Sequence, residues 1–369
     1  MVSAPVGVEY VSARPGDGYG NAALGMLAAL DHLHVPVRWT PLRWGHEGLL
    51  ERAHVDGPFA SWVGRDVATD TLLLHVPPTA YERHLARAGD RTVVTLTTWE
   101  TDRVPAAWLP WLARCDRVLV PSRFNADVFV ASGVTAPVHV VPHCVHEPHP
   151  ERPAFLDAVG ERFAFYTIGP WGTRKGMVEC VRAFLDAFSA RDDVALVVKT
   201  TALDLRRDRR PVWHALAELL AGHRDPPFVL LAGETLSTAE IDGLHAAGDC
   251  FVSLTRGEGF GLNVLDAAAA GKPVLATGWS GPVEILGADH PLLVDHDLVP
   301  MDDDEPDAWL PVLPGHRWAR ARHDHAVELL RWVASHREDA AAIGERAGAR
   351  VRHRFATESV APRLLAALD

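Results

Sequence analysis

The chain has 369 residues, 48% hydrophobic and 23% charged, a balance that suits a folded protein of two ordinary domains. Its formal net charge of -12 argues against nucleic-acid binding and against strong attraction to anionic membranes. The four cysteines (Cys115, Cys144, Cys180, Cys250) lack metal or redox spacing, and neither a signal peptide nor a membrane span is visible, so a cytoplasmic location without integral membrane association is expected.

In chain order, Val6 to Val11 reads as a strand and Ala22 to His32 as a helix. The loop Gly16-Asp17-Gly18-Tyr19-Gly20-Asn21 lies between them, where a phosphate-approaching loop belongs. Its glycines fall at every second residue rather than in the dinucleotide spacing, so a plain turn fits it equally well. Val35 to Trp39, Thr71 to Val76, Thr92 to Leu96, Arg117 to Val120 and Val138 to Val141 are further apolar, β-branched runs. Strands alternating with helix-like segments predict a parallel, doubly wound α/β sheet.

Pro142 to Pro153, rich in proline and histidine, reads as a linker, with the domains expected at 1–148 and 149–354. A second alternating series comes next. Its strands are expected at Phe163 to Ile168, Val194 to Lys199, Phe228 to Leu231, Cys250 to Leu254 and Val274 to Ala276. Helices are expected at Gly176 to Ser189, Trp213 to Ala221, Thr238 to Ala247 and Leu262 to Ala270, and from about 323 to the end. The last helix, 355–369, is expected to pack back on the first domain. Ligands of such sheets sit at the carboxyl ends of the strands.

Three segments carry chemistry. In Arg256-Gly257-Glu258-Gly259-Phe260-Gly261-Leu262-Asn263-Val264-Leu265-Asp266, glycines follow a strand and open a helix. That arrangement lets backbone N–H groups approach a phosphate. Glu258 and Asp266 would repel a phosphate, so they are expected to point away from it, toward vicinal sugar hydroxyls. In Gly169-Pro170-Trp171-Gly172-Thr173-Arg174-Lys175-Gly176, two cations precede a helix. The macrodipole disfavours them there, which favours an anionic ligand over a solvated pair. Trp99-Glu100-Thr101-Asp102 follows a strand at its carboxyl end, and His75 ends another; either could face a ligand, and a structural role for His75 is at least as well supported. Twelve tryptophans, among them Trp44, Trp99, Trp171 and Trp279, suit packing, with a minority available to stack on rings. Asp302-Asp303-Asp304-Glu305 reads as a solvated loop, and no grouping has metal-ligand spacing.

Together these residues resemble the retaining glycosyltransferases of family 4, with the two-domain GT-B fold and a cleft between tandem Rossmann-like domains. Glu258 to Asp266 matches the family's E-x7-E signature as E-x7-D. Gly18 to Asn21, Pro121 to Asn125, Val141-Pro142-His143, Arg174-Lys175-Gly176, Gly278 to Pro282 and the tail from Trp318 to Val327 extend the match over nearly the whole chain. The resemblance implies hexosyl transfer from a nucleoside-diphosphate sugar to a hydroxyl acceptor whose identity the residues leave open, in carbohydrate biosynthesis and with no cofactor or metal. It places Glu258 on the donor sugar, Gly259, Phe260, Gly261, Leu262 and Asn263 around sugar and phosphate, and Asp266 on the ribose. Lys175 and Arg174 would bind the diphosphate, and Gly18, Tyr19 and Gly20 would approach it. Thr98, Trp99, Glu100 and His75 would lie toward the acceptor.

The chain departs from the family pattern in Asp266, in the absence of an arginine a few residues before Lys175, and in Thr97-Thr98-Trp99 where relatives place a histidine. A related pseudo-glycosyltransferase or phosphorylase, or a non-catalytic nucleotide-sugar-binding protein, is the alternative. A Rossmann dehydrogenase is disfavoured, because no G-x-G-x-x-G turn follows any strand.

Overall fold

The computed structural model describes residues 6–44, 50–201, 212–301 and 313–369. The chain forms two compact units, Met1–His146 with His353–Asp369, and Glu147–Arg352.

The first unit is built on strands β1 (Val8–Ala13), β2 (Val37–Trp44), β3 (Leu50–Arg52), β4 (Thr71–His75), β5 (Thr92–Leu96), β6 (Arg117–Val120) and β7 (Val138–Val140). They lie in the order β3-β2-β1-β4-β5-β6-β7. All pairs are parallel except β2 with β3. Alternate residues of a strand face opposite sides of a sheet. Val8, Tyr10, Trp39, Leu73, Val94 and Leu96 point into one core, which is completed by helix α1 (Gly18–His32) and the C-terminal helix Thr357–Leu368. Glu9, paired in register with Arg38 and Leu72, points to the other side.

Several boundaries differ from the sequence reading, among them β2, which runs to Trp44 where Val35 to Trp39 was expected, and β3, which was not expected. β1 begins at Val8, and Val6 is exposed. Helix α1 starts at Gly18, four residues before the expected Ala22, because the Asp17 carboxylate caps it by accepting from Gly20 N at 2.8 Å. Gly18, Tyr19 and Gly20 therefore belong to the first helical turn rather than to a loop. A Cβ on Gly20 would stand 1.8 Å from the Arg14 carbonyl oxygen, so glycine there lets the helix meet its own preceding loop.

The second unit has strands β8 (Phe163–Ile168), β9 (Val194–Lys199), β10 (Phe228–Ala232), β11 (Cys250–Ser253), β12 (Val274–Thr277) and β13 (Leu293–Val294). They lie in the order β10-β9-β8-β11-β12-β13, all parallel. Relabelled from its own first strand this is the Rossmann order 3-2-1-4-5-6, whose direction of winding reverses between β8 and β11. An antiparallel pair, β14 (His296–Pro300) with β15 (Arg317–Ala321), lies beyond it in the chain. Helices α2 (Met177–Ala187), α3 (Leu262–Ala269) and α4 (His323–Ser335) pack against the parallel sheet. α2 has the clean amphipathic period: Met177, Val181, Phe184 and Leu185 are buried against Phe165, Leu196 and Val198, with Ala326 and Leu330 of α4 beside them. Strands β13 to β15 are short and mixed in polarity, so hydrophobic periodicity did not reveal them. The acidic run 302–305 lies outside the described residues.

Among the described residues no helix is long and apolar enough to cross a membrane. All four cysteines are buried and free.

Candidate functional site

The winding reversal of the second unit puts two loops side by side at the carboxyl ends of β8 and β11. The first runs from Gly169 to Gly176 and the second from Leu254 to Gly261. They are stitched together by backbone: Arg256 N donates to the Arg174 carbonyl at 2.7 Å. Thr255 Oγ1 donates to the same carbonyl at 3.0 Å.

This stitching brings Arg174, Lys175 and Glu258 together. Lys175 Nζ stands 2.5 Å from Glu258 Oε1, and Arg174 reaches Glu258 Oε2 at 3.4 Å and the Gly257 carbonyl at 3.0 Å. The three side chains are only 13–18% exposed. Glu258 therefore faces the two cations that the sequence reading assigned to a phosphate. A nearly buried carboxylate needs counter-charge more than it avoids a prospective phosphate. Burial by itself raises the Glu258 pKa, but Lys175 and Arg174 override it and hold the carboxyl below its ordinary value. The same contact offsets the macrodipole cost of placing two cations before α2. The three groups sum to one net positive charge.

The Glu258 backbone is fixed as well. Its N–H donates to Ser280 Oγ at 3.1 Å, and its carbonyl accepts from Gly281 N at 2.9 Å. Ser280 has φ +61°, an uncommon region for a non-glycine residue and a mark of local strain. Phe260 is buried, so only its backbone faces the loop. Helix α3 begins at Leu262 with no side-chain cap; Val264 N and Leu265 N donate to the Gly261 carbonyl at 3.0 Å, and the N–H groups of Leu262 and Asn263 precede them at the helix start. Asn263 Nδ2 donates to the Ile168 carbonyl at 3.0 Å, tying this helix start to the end of β8. Asp266 lies one turn further on, half-buried.

Thr255, Arg256 and Ser280 were not among the sequence candidates. Arg256 is buried, pairs with Glu179 at 2.8 Å and lies 5.3 Å from the centre of the Trp318 ring. A cation directly before a glycine loop was the available signal for it. Among the described residues no group of three or more His, Cys, Asp or Glu is placed to hold a metal ion.

In the first unit the strand ends gather a second set. The Tyr19 hydroxyl shares a hydrogen bond with Thr97 Oγ1 at 3.0 Å, and its ring lies 5.7 Å from the His75 ring. Tyr10 shares a hydrogen bond with His75 Nδ1 at 2.6 Å, and His143 stacks on His75 at 5.8 Å. Trp99 is an interior residue: it packs edge-on against Trp108 at 4.7 Å, and its indole N–H donates to Thr101 Oγ1 at 2.6 Å. Glu100 is half-buried on the same loop.

That loop is held by Asn125, which sequence reasoning did not single out. Its Oδ1 accepts from Thr98 Oγ1 at 2.7 Å and from Trp99 N at 3.0 Å, while Nδ2 donates to the Trp99 carbonyl at 2.7 Å. Asn125 is fully buried. Asn125→Ala removes three bonds and orphans buried backbone groups, so a loss of roughly 2–4 kcal/mol is expected in urea unfolding. A loss below roughly 1 kcal/mol would show that water replaces the amide.

Burial pushes His143 down to about 4, and burial with the neighbouring His143 lowers His75. Both are bases whose folded pKa lies below the unfolded value of about 6.5, so below that pH the unfolded chain takes up protons first. Stability is therefore complete near neutrality and falls as the pH drops from about 6.5 toward 4, by roughly 3 kcal/mol for His143 alone. The melting temperature is expected to fall between about pH 7 and 5, with a shallower slope in His143→Gln; equal slopes would remove His143 as the source.

Comparison with known proteins bears on both units. Residues 163–307 match the family model for glycosyl transferases group 1. Over 98% of this chain and 99% of the other, the structure is similar to Anabaena HepE solved with UDP and glucose, at TM-score 0.67 and 13% identity. It is also similar to sucrose-phosphate synthase from Thermosynechococcus elongatus, at TM-score 0.68 and 14% identity over 97% and 96% of the two chains. This is the GT-B glycosyltransferase fold. A third similar structure, α,α-trehalose 6-phosphate synthase from Burkholderia multivorans, matches at TM-score 0.66 and 10% identity over 98% of both chains. No curated protein matches in sequence. The group 1 glycosyl transferase segment contains both stitched loops, with Arg174, Lys175, Glu258 and Asp266.

Proposed function

We propose that the protein is a retaining glycosyltransferase that moves a sugar from a nucleoside-diphosphate sugar to a hydroxyl acceptor without a metal ion. The observation that carries this reading is the contact of Lys175 and Arg174 with Glu258 at the winding reversal of the second unit, inside the group 1 glycosyl transferase segment.

The residues divide the work by charge. Lys175 and Arg174 neutralise the leaving diphosphate, and the uncapped start of α3 adds N–H donors. Glu258 accepts hydrogen bonds from hydroxyls of the donor sugar, and Asp266 accepts from the ribose. Without donor, Glu258 and the cations satisfy one another. Donor binding exchanges those contacts for sugar hydroxyls on one side and phosphate on the other, so the site need not bury an unpaired charge at either stage. Attack on the face of the leaving group lets the departing phosphate oxygen accept the acceptor's proton. The new glycosidic bond then forms as the C1–O bond to phosphate breaks, and no enzymic base is required.

Because HepE is solved with UDP and glucose, UDP-glucose is the first donor to try. Melting curves with UDP-, GDP-, ADP- and TDP-sugars are expected to show an upward shift with one nucleotide class. That donor should then be hydrolysed slowly to the free sugar, with the anomeric proton coupling of an α-linked product once an acceptor is supplied. Donor binding with neither hydrolysis nor transfer would leave a nucleotide-sugar-binding protein; no shift with any donor would remove the donor site.

A further inference from the structure

The first unit carries a second concavity, on the side of its sheet opposite α1. Its volume is about 730 Å³, enough for a small organic anion. The segment between β3 and β4 packs Phe59, Trp62 and Val63 against the α1-side core, while on the other face of β1 and β2 Glu9, Arg38 and Thr40 are only half-buried. Arg38, Arg52, Arg83, Arg87 and Arg91 line it, with Glu9 as the one carboxylate and His84 as the one histidine among the described residues that line it. None of these residues belongs to the transfer site.

Two of the arginines are satisfied within the fold. Arg91 pairs with Glu9 and donates to the carbonyls of Ala88 and Arg87 at 2.8 and 2.6 Å. Arg38 donates to the carbonyls of Arg65 and Val67 at 2.9 and 2.7 Å and lies 3.7 Å from the fully exposed Asp66. Arg52, Arg83 and Arg87 pair with no carboxylate among the described residues; Arg83 donates only to His84 Nε2, at 3.2 Å.

Arg83 lies on the four-residue helical turn Glu82–Leu85 and Arg87 in the turn just after it, close enough for their charges to repel. Burial and this neighbour lower the Arg83 pKa. Burial, with Arg83 and Arg87 beside it, pushes His84 down to about 4, so the imidazole is neutral near pH 7. A chain of net charge -12 has acids to spare. Three guanidinium groups without a carboxylate partner among the described residues edge this one cavity, so a single anion there gains from all three at once. The planar fork of arginine fits phosphate oxygens two at a time, and three forks match an anion with more than one phosphate.

We propose that this cavity binds a multiply charged phosphoanion in the forks of Arg52, Arg83 and Arg87, separately from the donor diphosphate. The site does not depend on sugar transfer.

Titration calorimetry of the whole protein with tripolyphosphate tests it. Binding is expected in the wild type, weakened at least about tenfold in Arg83→Gln/Arg87→Gln and largely retained in Lys175→Ala. Both arginines are exposed, so the double variant should melt as the wild type does. Co-sedimentation with phosphatidylcholine vesicles, with and without phosphatidic acid, identifies the source. Arginine-dependent retention only on phosphatidic acid assigns a lipid headgroup, and tripolyphosphate binding without retention assigns a soluble ligand. The proposal is overturned if the double variant binds tripolyphosphate as tightly as the wild type, if only Lys175→Ala loses binding, or if no heat is seen.

Discussion

Lys175→Ala is expected to lower the rate of sugar transfer roughly 10²–10³-fold while the protein still folds. The Lys175 ammonium is the cation nearest Glu258, at 2.5 Å, and Arg174 stands further off, at 3.4 Å. In the proposed reaction, losing it removes a fixed positive charge from the place where the leaving diphosphate would gather negative charge. Stability should fall by only about 1–3 kcal/mol, because Arg174 remains to compensate Glu258 and the group is not fully sealed from water. The acid limb of stability gives a second readout. In the wild type the Glu258 carboxyl titrates below its unfolded value. Its contribution is thus present above the ordinary carboxylate pKa and is lost as the pH falls through the folded one. Without Lys175, burial is opposed by Arg174 alone, the folded pKa rises, and acid unfolding begins at a higher pH. Turnover within a factor of two of wild type, measured with the donor that binds best, would take Lys175 out of the site.

Gly176→Ala is expected to cost about 3 kcal/mol or more and to abolish donor binding in whatever fraction folds. Gly176 has φ +64°, and a Cβ there would stand 2.0 Å from the Leu254 carbonyl oxygen. The left-handed backbone alone costs an L-residue roughly 1–2 kcal/mol. The remainder comes from pushing apart the loops after β8 and β11, whose contacts through Arg174 O hold Lys175 beside Glu258. Gly315→Ala is the control: its φ is +78°, but no atom lies within 4 Å of the added Cβ, so only the backbone penalty applies. Denaturant midpoints and donor titrations of the two variants separate strain from collision. Equal losses of stability would show that the approach to Leu254 is relieved without cost.

Much of this architecture was legible because its signals are local. The strands Phe163–Ile168, Val194–Lys199 and Thr92–Leu96 are continuous apolar runs, as strands buried on both faces must be. β14 and β15 were not legible, since residues such as His296, Asp297, Arg317 and Arg320 give a short pair no apolar period. The start of α1 was misplaced because glycine counts against helix locally, while the Asp17 cap and the close packing of Gly20 on the Arg14 carbonyl fix the helix start at Gly18. Trp99 stood on a strand-end loop, where ligand contact and packing look alike; its burial against Trp108 decided for packing.

The sequence by itself determined the kind of fold and the residue types of the second-unit site. A glycine-rich turn between an apolar strand and an alanine-rich helix, and a cation pair before another helix, are short-range patterns. Only the tertiary structure decided what those residues do to one another. Arg174 and Lys175 are more than 80 positions from Glu258, and no local rule predicts that the winding reversal between β8 and β11 sets them in contact. Once they meet in a nearly dry place, the electrostatics are set: a carboxylate that looked free to point at a sugar is drawn onto its counter-ions, because leaving any of the three charges unpaired there would cost more than pairing them.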